Sequence, residues 1–255
     1  MNDIEKITQA FYDVKELGWI KSNRRHNTGI GKTFEDYVGV VENNLDEPDL
    51  FGFEIKSHRE TATSPISLVT KAPNLPNRNK NNKYLLDKFG QPHERFIQEN
   101  INAVVPKKLF ASIFANKKSC VYSKYMVYLK NDRVNRELKI VFEDENGQII
   151  DDNVGYTYDV LEESFSKKLS NLLYVTAEVK KVNNDEYFNY TNAEIHTNVS
   201  FDKFLDLLDN GTIQYDIRMG CYESGKNYGK FHDHGSCIRI SEKDLHLLYA
   251  DIEKI

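Results

Sequence analysis

Two carboxylates and a lysine converge in the stretch Asp49-Leu-Phe-Gly-Phe-Glu54-Ile-Lys56. Read as a strand, it sends Glu54 and Lys56 from the same face of the pleat. Phe53 and Ile55 then point the other way, into a core. Asp49 stands at the strand's entrance behind Pro48, which favours an extended or turning approach. Carboxylate oxygens of this kind suit a hard divalent cation, and an ammonium beside them can orient or polarise a water. Such a set serves metal-assisted attack on a phosphodiester. An acid-x-lysine pair is also a common feature of a solvated strand face. The preceding Pro-Asp and the apolar alternation are what favour the chemical reading.

A second group lies at 212–239: Asp216-Ile-Arg218, Ser224-Gly-Lys226, Lys230, His232-Asp-His234-Gly235 and Arg239. Asp216 and Arg218 share a strand face. Arginine is a bidentate partner for guanine O6 and N7, and aspartate can accept from cytosine N4, so the pair suits a G·C-rich site. Lysines on the hairpin would contact phosphates, which position without specifying. The alternative for Asp216 and Arg218 is a plain surface ion pair. His232-x-His234 could be half of a zinc site, but no further Cys/His pair completes it at a recognisable spacing.

The elements that must position these groups follow from periodicity. Ile4, Ile7, Phe11, Val14 and Leu17 predict a helix over 3–17, ended by Gly18. A basic loop, 21–28, leads to a second helix over roughly 32–44, with Phe34, Val38 and Val41 on one side and Glu35 and Asp36 in its first turn. Gly29-Ile-Gly-Lys-Thr33 is not a P-loop, because His26 occupies the position of the first glycine and no strand precedes it. Strands are expected at 49–57 and 65–70, then a long exposed loop at 71–83 and short helical pieces over 84–118. The second half reads as strands at 123–130, 137–143 and 148–151 and a helix at 159–172. Strands at 173–182 and 187–190 come next, then a helix capped by Ser200 and stopped at Gly211. Strands at 212–222 and 236–240 flank the hairpin, and a helix over 241–252 closes the chain. The expected architecture is mixed α/β in two lobes, 1–118 and 119–255.

Composition bounds the partners. The 255 residues hold 34 Lys+Arg against 39 Asp+Glu, a net charge of -5, which argues mildly against nucleic acid. The charge is uneven, however. Residues 21–32 carry Lys21, Arg24, Arg25, His26 and Lys32 without an acid, and 71–83 carry Lys71, Arg78, Lys80 and Lys83 without one. Cys120, Cys221 and Cys237 are unclustered, which fits a reducing cytoplasm rather than a disulfide framework. No apolar run approaches a membrane span, and the N-terminus does not read as a signal peptide, so a soluble cytoplasmic protein is expected.

Together the two groups resemble a known family. Asn27-Thr-Gly-Ile-Gly-Lys-Thr-Phe-Glu-Asp36, Asn44-Leu-Asp-Glu-Pro-Asp49 and Phe53-Glu-Ile-Lys56 are similar to the MutH-like branch of the PD-(D/E)xK nucleases, and within it to the MvaI–BcnI group of restriction endonucleases. Asp216-Ile-Arg-Met-Gly220, Ser224-Gly-Lys226 and His232-Asp-His-Gly235 through Arg239 resemble that group's C-terminal recognition region. The likeness spans most of the chain, least at 84–118. It implies a PD-(D/E)xK core with two lobes around a DNA-binding cleft. Asp49 and Glu54 would hold Mg²⁺ (magnesium, Mg2+), Lys56 would position or activate the attacking water, and Glu35 would assist. Asp216, Arg218, His232, His234 and Arg239 would read base edges in double-stranded DNA. Lys226, Lys230, Lys71 and Arg78 complete the expected DNA contacts. His58 continues the Glu54/Lys56 face, either behind the site or as packing.

The resemblance further implies a monomer cutting one strand per binding orientation at a short CC-N-GG site, leaving 5′-phosphate and 3′-hydroxyl ends. The quoted segments stand nearer the MvaI side of the group, which implies a central A·T pair (CCWGG). A cognate DNA methyltransferase would belong to the same system without being a physical partner. The competing readings are a MutH-like nicking repair enzyme, a DNA-binding module with a decayed nuclease site, and an unrelated globular protein.

Overall fold

The computed structural model describes residues 1–41, 47–77, 80–97 and 105–255. The chain divides into two compact units, each assembled from separated segments. The first takes Met1–Ser64, Ser164–Phe201 and Glu242–Ile255, and the second takes Pro65–Glu163 and Asp202–Ser241. A single boundary near 118 is therefore not where the chain divides.

The first unit is built on a long hairpin, Asn171–Val182 and Asp185–Val199. Asn183 and Asn184 turn it with φ of 50° and 69°, left-handed values that Asn tolerates better than most residues. Glu54–Arg59 adds to Asn171–Val182 in parallel at the sheet edge, with Glu54 opposite Leu172, Lys56 opposite Tyr174 and His58 opposite Thr176. On the far side, Trp19–Lys21 and Tyr249–Lys254 both pair antiparallel with Asp185–Val199. Helices Asp3–Lys15 and Gly29–Tyr37 cover one sheet face. Ile7, Phe11, Val14, Ile30 and Phe34 pack there against Ile55, Leu173, Val175, Phe188 and Tyr190. A capping box starts the first helix: the Asn2 side chain accepts from Glu5 N at 2.8 Å, and Glu5 accepts from Asn2 N at 2.9 Å. Phe53 and Ile55 are buried in this core as expected, so Glu54, Lys56 and His58 are left to the opposite face.

The second unit holds two sheets. In one, the order is Ile66–Val69, Cys237–Ile240, Ile213–Cys221, Lys107–Ile113, Gln91–Pro92, with Phe231–Asp233 also on Ile213–Cys221. Ile213, Tyr215, Ile217 and Met219 are buried with Leu109, Ile113, Ile238 and Ile240. Alternation therefore sends Gln214, Asp216 and Arg218 to the polar face. The other sheet joins Gly155–Thr157, Glu137–Glu143, Tyr125–Asp132 and Ser119–Val121, with Ile149–Asp151 on Glu137–Glu143.

Four expectations are corrected. The second helix is Gly29–Tyr37; it starts three residues early and is over before Gly39, whose φ is 83°. Its expected end, 42–44, lies outside the described residues. A helix does occupy Asn81–Phe89, but Lys107–Ile113 is a strand paired along Ile213–Cys221, not a helical piece. The strand expected at 187–190 is the middle of the 15-residue Asp185–Val199. The final segment is a 3₁₀ helix, Glu242–Leu248, followed by the strand Tyr249–Lys254. An open edge on Asp185–Val199 supplies the hydrogen bonds that override its helical spacing.

Candidate functional site

Asp49 is outside the strand and is brought to it by a tight turn. Leu50 and Phe53 exchange backbone hydrogen bonds at 3.0 and 2.8 Å, and Phe51 and Gly52 carry φ of 50° and 78°. A two-residue turn with both φ positive reverses the chain within four residues. Asp49 Oδ2 then accepts from Ile55 N at 2.8 Å, which fixes the carboxylate beside the first turn of the strand. Lys56 Nζ donates to Glu54 Oε1 at 2.7 Å across the shared face. Glu54 is 7% exposed, so this is an enclosed pair rather than a solvated one.

The electrostatics are those of an incompletely compensated anionic pair. Burial pushes the Asp49 carboxyl above its ordinary value, and the Glu54 charge adds to the effect. The Ile55 amide and the Lys56 and Lys168 charges oppose it. No described hydrogen bond reaches Asp49 Oδ1 or Glu54 Oε2. Two spare carboxylate oxygens fit Mg²⁺, which is bound through one or two carboxylates while keeping waters and substrate phosphates. Among the described residues no three His, Cys, Asp or Glu side chains gather into a cage for a metal. Glu35 is half-buried on Gly29–Tyr37; burial pushes the nearby Tyr190 hydroxyl up, and the Glu35 charge adds to it.

Behind the site, the same sheet face carries an aromatic layer. The His58 and Tyr174 rings are 6.0 Å apart, Tyr174 and His196 6.3 Å, and His196 and Tyr249 5.0 Å, edge to face. His58 is buried with Nε2 3.5 Å from Glu242 Oε2, so it packs at the end of this layer. Burial pushes the Tyr249 hydroxyl up, and the Glu54 charge adds to the shift.

In the second unit, Asp216 Oδ1 accepts from Ser112 Oγ at 2.6 Å and Gln214 Nε2 at 2.7 Å. Its Oδ2 lies 3.4 Å from Arg239 Nη1. The ion pair of Asp216 is thus with Arg239 from the neighbouring strand, not with Arg218. Arg239 Nε also donates to Cys237 Sγ at 2.9 Å. The Arg218 guanidinium has no hydrogen bond or ion pair among the described residues; its backbone N–H donates to Ser236 Oγ at 2.9 Å and its carbonyl accepts from His234 N at 2.8 Å. His232 stacks on Tyr222 at 4.4 Å and meets His234 edge to face at 4.3 Å. Burial lowers the His234 pKa, as do the His232 and Arg218 charges. Lys71, Lys226 and Lys230 are exposed, and Lys230 Nζ donates to Asn227 Oδ1 at 3.3 Å. Arg78 lies outside the described residues.

Three residues of this face escaped the sequence reading. Ser112 and Gln214 orient Asp216, and Phe110 stands 47% exposed opposite Arg218, its ring 5.7 Å from His234. Alternation in Lys107–Ile113 carries the signal, once the segment is known to be a strand.

Comparison with known proteins accords with this fold. A family model described as the MvaI/BcnI restriction endonuclease family matches residues 8–249. The solved structure "Restriction endonuclease MvaI-cognate DNA substrate complex" is 32% identical, with a TM-score of 0.84 over 97% of this chain and 96% of that one. "Restriction endonuclease MvaI in the absence of DNA" is likewise 32% identical, with a TM-score of 0.62 over 100% of this chain and 98% of that one. Comparison with curated proteins found no match. The mixed α/β fold is that of a restriction endonuclease. The chain belongs to the MvaI/BcnI restriction endonuclease family and is a type II restriction endonuclease. Among the described residues no helix is long and apolar enough to cross a membrane.

Proposed function

We propose that this enzyme hydrolyses double-stranded DNA at a CC-N-GG site, with CCWGG the specific expectation, in a Mg²⁺-dependent reaction leaving 5′-phosphate and 3′-hydroxyl ends. The observation that carries the reading is the paired Asp49 and Glu54 carboxylates, each with a spare oxygen, beside the Lys56 ammonium. Asp49 and Glu54 hold the cation. Mg²⁺, when bound there, supplies charge that polarises the phosphodiester and eases deprotonation of water. Lys56 donates an N–H to orient the attacking water and offsets the charge that builds on the phosphate. Glu35 assists from its helix.

Base reading falls to the polar face of the second unit. The unpaired Arg218 guanidinium suits guanine O6 and N7. Asp216 keeps lone pairs beyond its protein partners, so it can accept from cytosine N4 while anchoring Arg239. His232, His234 and Arg239 border the same bases, and Lys71, Arg78, Lys226 and Lys230 contact phosphates. MvaI has been solved with its cognate DNA substrate, which supports duplex DNA as the partner here. The enzyme acts as a monomer in the cytoplasm, and a separate methyltransferase protects the host's own sites.

Supercoiled plasmid incubated with the protein alone tests the reading. Linear DNA or discrete fragments in Mg²⁺, and none with a chelator, is the expected result. Open circles that accumulate without linear product would favour a nicking enzyme, and intact plasmid would sink the proposal.

A further inference from the structure

The basic loop that precedes the second helix takes no part in the chemistry described above, yet its backbone is closely held. Residues 22–27 and the tip of the long hairpin enclose a groove of about 870 Å³ in the first unit. Nothing apolar from Lys21 to Thr28 adds to the core, so packing does not account for the loop. Polar contacts fix its shape instead. Ser22 Oγ donates to the Arg24 carbonyl at 2.7 Å, and Ser22 N to the Glu186 carbonyl at 2.8 Å. Asn23 N donates to Thr33 Oγ1 at 3.0 Å, and Asn23 Nδ2 to Asp36 Oδ2 at 3.0 Å. His26 is held at φ 70°, a strained value for a residue with a side chain. A Cβ at Gly29 would stand 2.4 Å from the Arg24 carbonyl, so only glycine lets the loop close on the helix.

What the loop presents beyond its own contacts is the positive charge of Arg25. The two acids of the groove are already met: Asp185 by Lys21 at 2.6 Å, and Glu186 by Arg59 at 3.1 Å and Lys181 at 3.9 Å. The side chains of Arg25 and His26 are exposed and make no hydrogen bond or ion pair among the described residues. The groove is tied to the catalytic strand, because Arg59 Nη1 donates to the Asn27 carbonyl at 3.3 Å. Arg59 stands three residues past Lys56, roughly 10 Å along a strand. Strained, pre-ordered backbone with surplus cations is suited to a polyanion of fixed spacing.

We propose that this groove is a second DNA contact, in which Arg25, with Arg24 and Lys181 beside it, grips the phosphodiester backbone flanking the cleaved phosphate. The inference rests on the duplex-cleaving function proposed above and adds a site that reads no sequence. Phosphate contacts add affinity through counterion release, so each one lost removes about one unit from the slope of log K against log salt.

The test measures binding in Ca²⁺ over a range of salt for wild type, Arg25→Ala and Arg25→Glu. Two long duplexes are used, one with a central CCWGG and one with its G·C pairs exchanged. Arg25 carries no structural contact, so unchanged melting temperatures are expected for both variants. The expected result is a slope lower by about one for Arg25→Ala, with equal weakening on both duplexes and a larger loss for Arg25→Glu. Wild-type binding with unchanged slopes in the variants, or a loss confined to the CCWGG duplex, would overturn this proposal alone. A wild-type protein with no affinity for either duplex would overturn it together with the function on which it rests.

Discussion

At the scale of single residues, the site is a balance of charges held at short range. Lys56 is the nearest cation to a buried acid, so its removal acts on chemistry before it acts on binding. Lys56→Ala is expected to slow cleavage by about 10²–10³-fold, the range for losing one preorganised donor aimed at developing charge. Duplex binding in Ca²⁺ should persist, and single-turnover cleavage beside a gel shift checks both. Asp49 tells the complementary story. Burial, with the Glu54 charge adding, raises its folded-state pKa, so the folded protein favours the protonated form more than the unfolded chain does. That stability is present below the ordinary carboxylate value of 3.8 and is lost as pH rises through the raised value. In chelator at neutral pH, Asp49→Asn should therefore melt higher than wild type, the gap closing on acidification. A lower melting temperature at neutral pH would contradict the strained-carboxylate account. Arg218→Ala removes an unpaired guanidinium and should cost about 1–3 kcal/mol of discrimination between cognate and G·C-exchanged duplexes. Equal discrimination in competition binding would remove Arg218 from base reading.

At the scale of elements, legibility followed the distance over which a segment finds its partner. Phe53-Glu-Ile-Lys56 alternates within four residues, and Asp49 reaches it through a turn of four more, so the sequence exposes this cluster. Lys107–Ile113 spaces Leu109 and Ile113 as a helix would, yet it pairs with Ile213–Cys221 roughly a hundred residues away. The closing segment has the same ambiguity, resolved by the free edge of Asp185–Val199. Strand pairing is non-local, and propensity alone does not choose its partners. Ser112, Gln214 and Phe110 were hidden for that reason, as was the choice of Arg239 rather than Arg218 as the partner of Asp216.

The long hairpin also carries a titratable weak point. Burial holds the His196 pKa below its ordinary 6.5, although Glu194 lies 3.0 Å from Nε2 and pulls the other way. A depressed histidine contributes stability that is full above the unfolded value of 6.5 and lost as pH falls towards the folded one. Wild-type melting temperature should therefore drop between neutral and mildly acidic pH, and His196→Gln should flatten that limb. An identical pH dependence in the variant would show that His196 is not the group responsible.

At the scale of the whole molecule, a net charge of -5 sits uneasily with DNA as the ligand. The resolution lies in distribution, since the 22–27 loop carries Arg24, Arg25 and His26 without an acid, while acids such as Asp185, Glu186, Asp206 and Asp209 pair with Lys21, Arg59 and Arg133. An acidic body with cationic contact surfaces loses affinity steeply with salt, as phosphate contacts require. In the proposed division of labour, the first unit holds the carboxylates and lysine, and the second holds the base-facing arginine. Its most direct test is digestion of a sequenced plasmid in Mg²⁺ with the ends of every product mapped. Ends that fall within CC-N-GG sites, with A or T at the centre and 5′-phosphates, are the expected result. Ends scattered without relation to such sites, or at an unrelated sequence, would contradict the account of recognition even if the DNA were cut.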